Sequence, residues 1–130
     1  MDFTLSSYRN LLESLKEAGY SFVTFYDFIQ HSTLNPNSEL ATRNPERFVI
    51  LRHDVDLKPQ NSLHFAQIQH QMGIRGTYYF RIVPQSYQPH IVGQIVSLGH
   101  EVGYHYEDID LVPNKSNLSE KQIAEQAIIL

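Results

Sequence analysis

The sequence predicts an α/β fold with a parallel sheet, and three observations carry that prediction. Segments of strand character alternate with segments of helical period through the middle of the chain. The first of those strands has an unbroken apolar centre, the pattern of a strand covered on both faces. The chain's 130 residues, 42% of them hydrophobic, suit one compact domain and leave little room for two. Strand, helix, strand, helix, strand at this spacing is the βαβ arrangement, which places chemistry at the carboxyl ends of its strands.

Taken in order, Leu5, Tyr8, Leu11, Leu12 and Leu15 recur at helical spacing from about residue 4 to 18, and Gly19 supplies the stop. "SFVTF" is a β-branched and aromatic strand, and "YDFIQHS" a short helix expected to carry Phe28 and Ile29 inward. "STLNPNSELATRNPE", residues 32–46, has no period and reads as a long surface loop. "RFVILRHDV" is expected as one strand, with Phe48 to Leu51 covered on both faces. "PQNSLHFAQIQHQMG" is a helix with Pro59 in its first turn, Leu63, Phe65, Ala66 and Ile68 inward, and Gly73 at its end. "GTYYFRIV" supplies a core strand through Tyr78, Tyr79 and Phe80. "QPHIVGQIVSLGH" is the next helix and "EVGYHY" the next strand. "NLSEKQIAEQAIIL" closes as a helix capped by Ser119 with Gln122 in an S-x-x-Q box. Its apolar end, Ile128, Ile129 and Leu130, leads us to expect residues 1–130 to be a single domain cut short at its C-terminal side.

Composition narrows the function. Net charge is -4, with ten Lys and Arg scattered among fourteen Asp and Glu, so no basic stripe is available to track nucleic acid. Without cysteine there is no disulfide, thiolate nucleophile or thiolate metal site, and any metal must be held by histidine, carboxylate or water. The start of the chain lacks the basic and apolar regions of a secretory signal. No window approaches the roughly 18 apolar residues of a membrane span, so a cytoplasmic location is the default expectation.

The chemistry concentrates in "LRHDVDL". On a strand alternate side chains share a face, so Asp54 and Asp56 point one way while His53 and Val55 point the other. Two neighbouring carboxylates call for a compensating group. His105, at the matching end of another strand, can supply an imidazole, and an Asp/His set with an open position suits zinc or a similar divalent ion that activates water. Polar strand ends also serve plain structural roles, and Arg52 can satisfy an Asp as an ion pair. His64 and His70 are expected on the surface, His31 and His90 at loops or helix starts, and His100 as a hydrogen-bonded turn residue.

In order, "LRHDVD", "MGIRGTYYFR" and "SLGHEVGYHYED" resemble the start of the polysaccharide deacetylase family, the NodB-homology domain of carbohydrate esterase family 4. The wording "RHDVD" and "GYHYE" is similar to a divergent subgroup of surface-sugar deacetylases. The resemblance covers about residues 48 to 108. It implies parallel βα units forming the first part of an incomplete (β/α) barrel, and metal-dependent removal of acetyl groups from a sugar or glycan. Carried over, Asp54 matches the general base and His105 the first metal-binding histidine. Asp56 takes the ligand role by a one-residue shift, because Val55 occupies the family's second Asp position. Ile109 stands at the second histidine position, where Glu107 or Asp108 is the candidate substitute; a carboxylate there makes the site harder and more negative. The metal implied is zinc, with cobalt or nickel as alternatives.

Family domains continue to an Arg/Asp pair and a general-acid histidine that lie beyond this sequence. The resemblance therefore implies weak or absent activity for this chain alone, or completion of the barrel by a second copy or another polypeptide. The competing expectation is a non-catalytic NodB-like carbohydrate-binding or interaction fragment. A phosphoesterase ranks last, since no Gly-rich phosphate cradle is visible.

Overall fold

The computed structural model describes residues 3–34, 47–106 and 112–129. The chain runs α1 (Leu5–Glu17), β1 (Ser21–Val23), α2 (Phe25–Leu34), β2 (Phe48–Ile50), β3 (Arg52–Val55), α3 (Pro59–Gln71), β4 (Thr77–Phe80), α4 (Pro89–Ser97), β5 (Glu101–Tyr104), a 3₁₀ turn (Lys115–Asn117) and α5 (Glu120–Ile129). Every strand pairing among the described residues is parallel. This is the α/β class expected.

Local signals place the helices. Thr4 caps α1 through a reciprocal box: Ser7 N–H donates to Thr4 Oγ1 at 3.1 Å and Thr4 N–H donates to Ser7 Oγ at 2.7 Å. Pro59 and Pro89 open α3 and α4, where a missing N–H costs nothing. Gly73 and Gly99 follow those helices at φ 69° and 88°, a region that a Cβ disfavours. Ser119 and Gln122 form the expected box at α5, with Ser119 N–H donating to Gln122 Oε1 at 2.9 Å and Gln122 N–H to Ser119 Oγ at 3.3 Å.

The single strand expected over residues 47–55 is two. β2 pairs with β1, Ser21 opposite Phe48, in a two-stranded sheet; β3 belongs to a three-stranded sheet of order β3-β4-β5. The change of partner falls at Leu51, whose carbonyl accepts the Thr77 N–H at 2.9 Å. Backbone groups after that point turn from β1 toward β4. The apolar run reflects this handover and not burial on both faces: Phe48 is 40% exposed, with Val49 and Ile50 only partly buried.

Two apolar clusters hold the sheet to its helices. Val55, Tyr78 and Phe80 pack on Leu63 and Ala66 of α3 and on Ile91 and Ile95 of α4. Tyr8 and Leu12 of α1 pack on Ile68 of α3 and Ile74 after it. Each Val, Leu, Ile or Phe side chain among these, removed from water, stabilises by roughly 1.5–3 kcal/mol. Of the apolar stripe on α1, only Tyr8 and Leu12 are buried.

Other expectations need correction. Phe28 and Ile29 are 40% and 57% exposed instead of inward, and Phe28 meets Phe48 with ring centroids 5.1 Å apart. Residues 32–34 of the expected surface loop belong to α2, which runs to Leu34 and includes His31; the rest of that expectation, residues 35–46, lies outside the described residues. No helix among the described residues is long and apolar enough to cross a membrane.

Candidate functional site

Asp54 sits inside β3 and Asp56 one residue beyond it. Val55 between them is buried at 2%, so the pleat turns both carboxylates outward together, as the alternation predicts. Ser86, fully buried after β4, donates its hydroxyl to the Val55 carbonyl and accepts the Arg81 N–H. The backbone between the two aspartates is thereby tied to the next strand's loop. Nothing in the sequence marked Ser86 for this.

His105 follows β5 directly, and its backbone N–H donates to the Phe80 carbonyl at 2.9 Å. Its imidazole lies between the carboxylates: Nδ1 is 3.3 Å from Asp56 Oδ1 and Nε2 is 3.8 Å from Asp54 Oδ2. The three residues expected to converge do so. Glu107 and Asp108, the further candidate ligands, and Ile109 lie outside the described residues.

Asp54 has a second neighbour. Arg52 Nε donates to Asp54 Oδ1 at 2.8 Å, and its guanidinium lies 4.8 Å from the centroid of the Tyr79 ring. Tyr79 in turn lies against Gly103, where an added Cβ would fall 2.5 Å from Tyr79 Cε1. A row therefore crosses the three strands, from Gly103 through Tyr79 and Arg52 to Asp54. Within the protein Arg52 thus compensates one carboxylate of "HDVD", and an imidazole lies beside both.

Two donors bound to one tetrahedral ion at roughly 2.0–2.1 Å each stand about 3.3 Å apart. Asp56 Oδ1 and His105 Nδ1 have that separation, so this pair fits as two ligands of one ion. Asp54 faces the opposite ring nitrogen and cannot join the same ion through it. Among the described residues, no group of three or more His, Asp or Glu side chains is placed to hold a metal ion. A cavity of about 310 Å³ opens beside the carboxylates, lined by Asp54, Val55, Asp56, Leu57, Lys58 and Ser62.

His53 and His100 serve the scaffold. His100 is buried, accepting the Gly76 N–H at Nδ1 (3.0 Å) and donating from Nε2 to the Ala66 carbonyl (2.8 Å). Burial lowers its pKa. His70 and His64 are exposed on α3, and His90 is exposed at the start of α4. His53 turns to the opposite face from Asp54 and stacks on Tyr78, centroids 4.5 Å apart. There Gln69 is the hub. Its amide nitrogen donates to Tyr8 Oη at 2.6 Å and to His53 Nε2 at 2.7 Å, while its oxygen accepts the Tyr78 hydroxyl at 2.8 Å. Burial drives His53 down to about 4 and raises the pKa of Tyr78.

No protein-family model, no curated protein and no solved structure matches this chain.

Proposed function

We propose that this protein is a metal-dependent hydrolase that removes acetyl groups from a sugar or glycan, built on parallel βα units of an incomplete (β/α) barrel. The observation that carries the reading is the convergence of Asp54, Asp56 and His105 at the carboxyl ends of parallel strands, beside a cavity of about 310 Å³. Asp56 and His105 Nδ1 would hold the ion. Zinc, cobalt or nickel bound there would supply Lewis-acid polarisation of the acetyl carbonyl and lower the pKa of water.

The remaining chemistry belongs to the chain's own side chains. Arg52 donates to Asp54 Oδ1 and orients the carboxylate, which leaves Oδ2 to take a proton from the attacking water. Such general-base help is typically worth about 10²–10⁴-fold. With no general acid among the residues brought together, protonation of an amine leaving group falls to solvent, and turnover is slow.

A second reading is favoured by the Arg52–Asp54 pair at 2.8 Å, which satisfies one carboxylate without any ion. In it the chain is a non-catalytic carbohydrate-binding unit. Acetate release from N-acetylchitotriose, measured with added Zn²⁺ or Co²⁺, separates the two. Slow metal-dependent release that disappears in Asp54→Asn supports the hydrolase; binding of the sugar with no release under any metal supports the second reading.

A further inference from the structure

We infer that the cavity selects an acetylated sugar bearing a negative charge, and that Lys58 receives that charge. This rests on the hydrolase reading above and names its substrate class. The inference starts from where the polar and charged groups at the cavity lie. Asp54 is paired with Arg52 at 2.8 Å, and Asp56 lies 3.3 Å from His105. Lys58 lines the same cavity only two residues after Asp56, yet among the described residues its ammonium pairs with neither carboxylate. A cation that stays apart from two nearby carboxylates is available to a ligand.

The backbone explains why Lys58 is held there. Pro59 is buried and locks the first turn of α3, and the Lys58 carbonyl accepts the Asn61 N–H at 3.0 Å. The residue's position at the mouth is set by the helix start, while its side chain remains exposed. Leu57, 70% exposed, offers apolar surface to a sugar ring or an acetyl methyl group, and Ser62, one turn into α3, offers a hydroxyl. Carboxylate acceptors, a hydroxyl, an apolar patch and one unmatched cation together suit a glycan in which a uronate neighbours the acetylated residue. A wholly neutral glycan leaves the ammonium with hydroxyl partners only.

The test compares two probes of equal length on the full chain by calorimetric titration: a hyaluronan tetrasaccharide, which alternates uronate with N-acetylglucosamine, and neutral N-acetylchitotetraose. The charged probe is expected to bind about two- to fivefold more tightly at low salt, as suits one exposed ion pair. Added salt shrinks the preference. Lys58→Met abolishes it and Lys58→Arg retains it. Equal affinity for the two probes, or a preference that survives Lys58→Met, overturns the proposal while leaving acetate release, and so the hydrolase reading, intact. Failure of both probes to bind overturns the two together.

Discussion

Asp56 Oδ1 lies 3.3 Å from His105 Nδ1, although the strands that carry them are not neighbours: β4 runs between β3 and β5. Strands two places apart in a sheet are separated by roughly 9–10 Å. The contact forms because both residues sit just past their strand ends, where side chains can lean over the end of β4.

This geometry separates the roles of the two aspartates. The proposed metal site predicts that Zn²⁺ stabilises the protein, that Asp56→Asn and His105→Gln each abolish this, and that Asp54→Asn keeps most of it, because Asp54 faces Nε2. At about 100-fold excess over Kd, binding to the native state alone contributes about 2.7 kcal/mol, a shift of several degrees in Tm. Thermal unfolding with and without the ion reads this out; equal loss in all three variants would place Asp54 among the ligands.

Gln69 ties α1 to the sheet through three polar partners. Gln69→Leu keeps a similar volume but strands the Tyr78 hydroxyl, while Tyr8 Oη and His53 Nε2, 3.4 Å apart, still pair with each other. An unsatisfied buried group costs about 1–3 kcal/mol, so a loss in that range is expected in urea unfolding. A loss below about 1 kcal/mol would mean that water replaces the amide.

Acid should weaken the protein through His53. His53 is lowered from 6.5 to about 4, by burial first and by His100 second, with Asp54 opposing. Between those values the unfolded chain binds more protons than the folded one. Stability is therefore full above about pH 6.5 and declines as pH falls toward about 4, by at most about 1.4 kcal/mol per pH unit for this group. His100 is shifted in the same direction. Urea midpoints between pH 7.5 and 5 should slope downward toward acid, and His53→Gln should flatten the slope; an unchanged slope would assign the acid sensitivity elsewhere.

Gly103 is predicted to matter through the Tyr79 ring. In Gly103→Ala the new Cβ would meet Tyr79 Cε1 at 2.5 Å, forcing the ring toward Arg52. Overpacking of this kind costs about 1–3 kcal/mol. Tyr79→Ala in the same chain should recover part of the loss, giving a non-additive cycle in urea unfolding. Additive costs would show that the clash is absorbed by the backbone.

Much of the scaffold was legible because its signals are local. The cap at Ser119, the proline start of α3 and the glycines after α1 and α3 act within one turn, so spacing alone locates those helices. The shared face of Asp54 and Asp56 follows from the two-residue period of a strand. The handover at Leu51 was not legible, since an apolar run reads the same whether one strand serves one sheet or two. Ser86 and Gln69 were invisible for a related reason: a single polar residue gives no pattern until its partners are known.

By itself, then, the sequence determined the alternation of strands and helices, the parallel α/β class and the two aspartates on one face, because periodicity and chain-local hydrogen bonds suffice for these. Tertiary structure alone decided that His105 reaches both carboxylates, that Arg52 claims one of them while Lys58 pairs with neither, and that Gln69 binds α1 to the sheet. Those contacts join residues up to 61 positions apart, and only the packing of β3, β4 and β5 against α1 and α3 sets their distances.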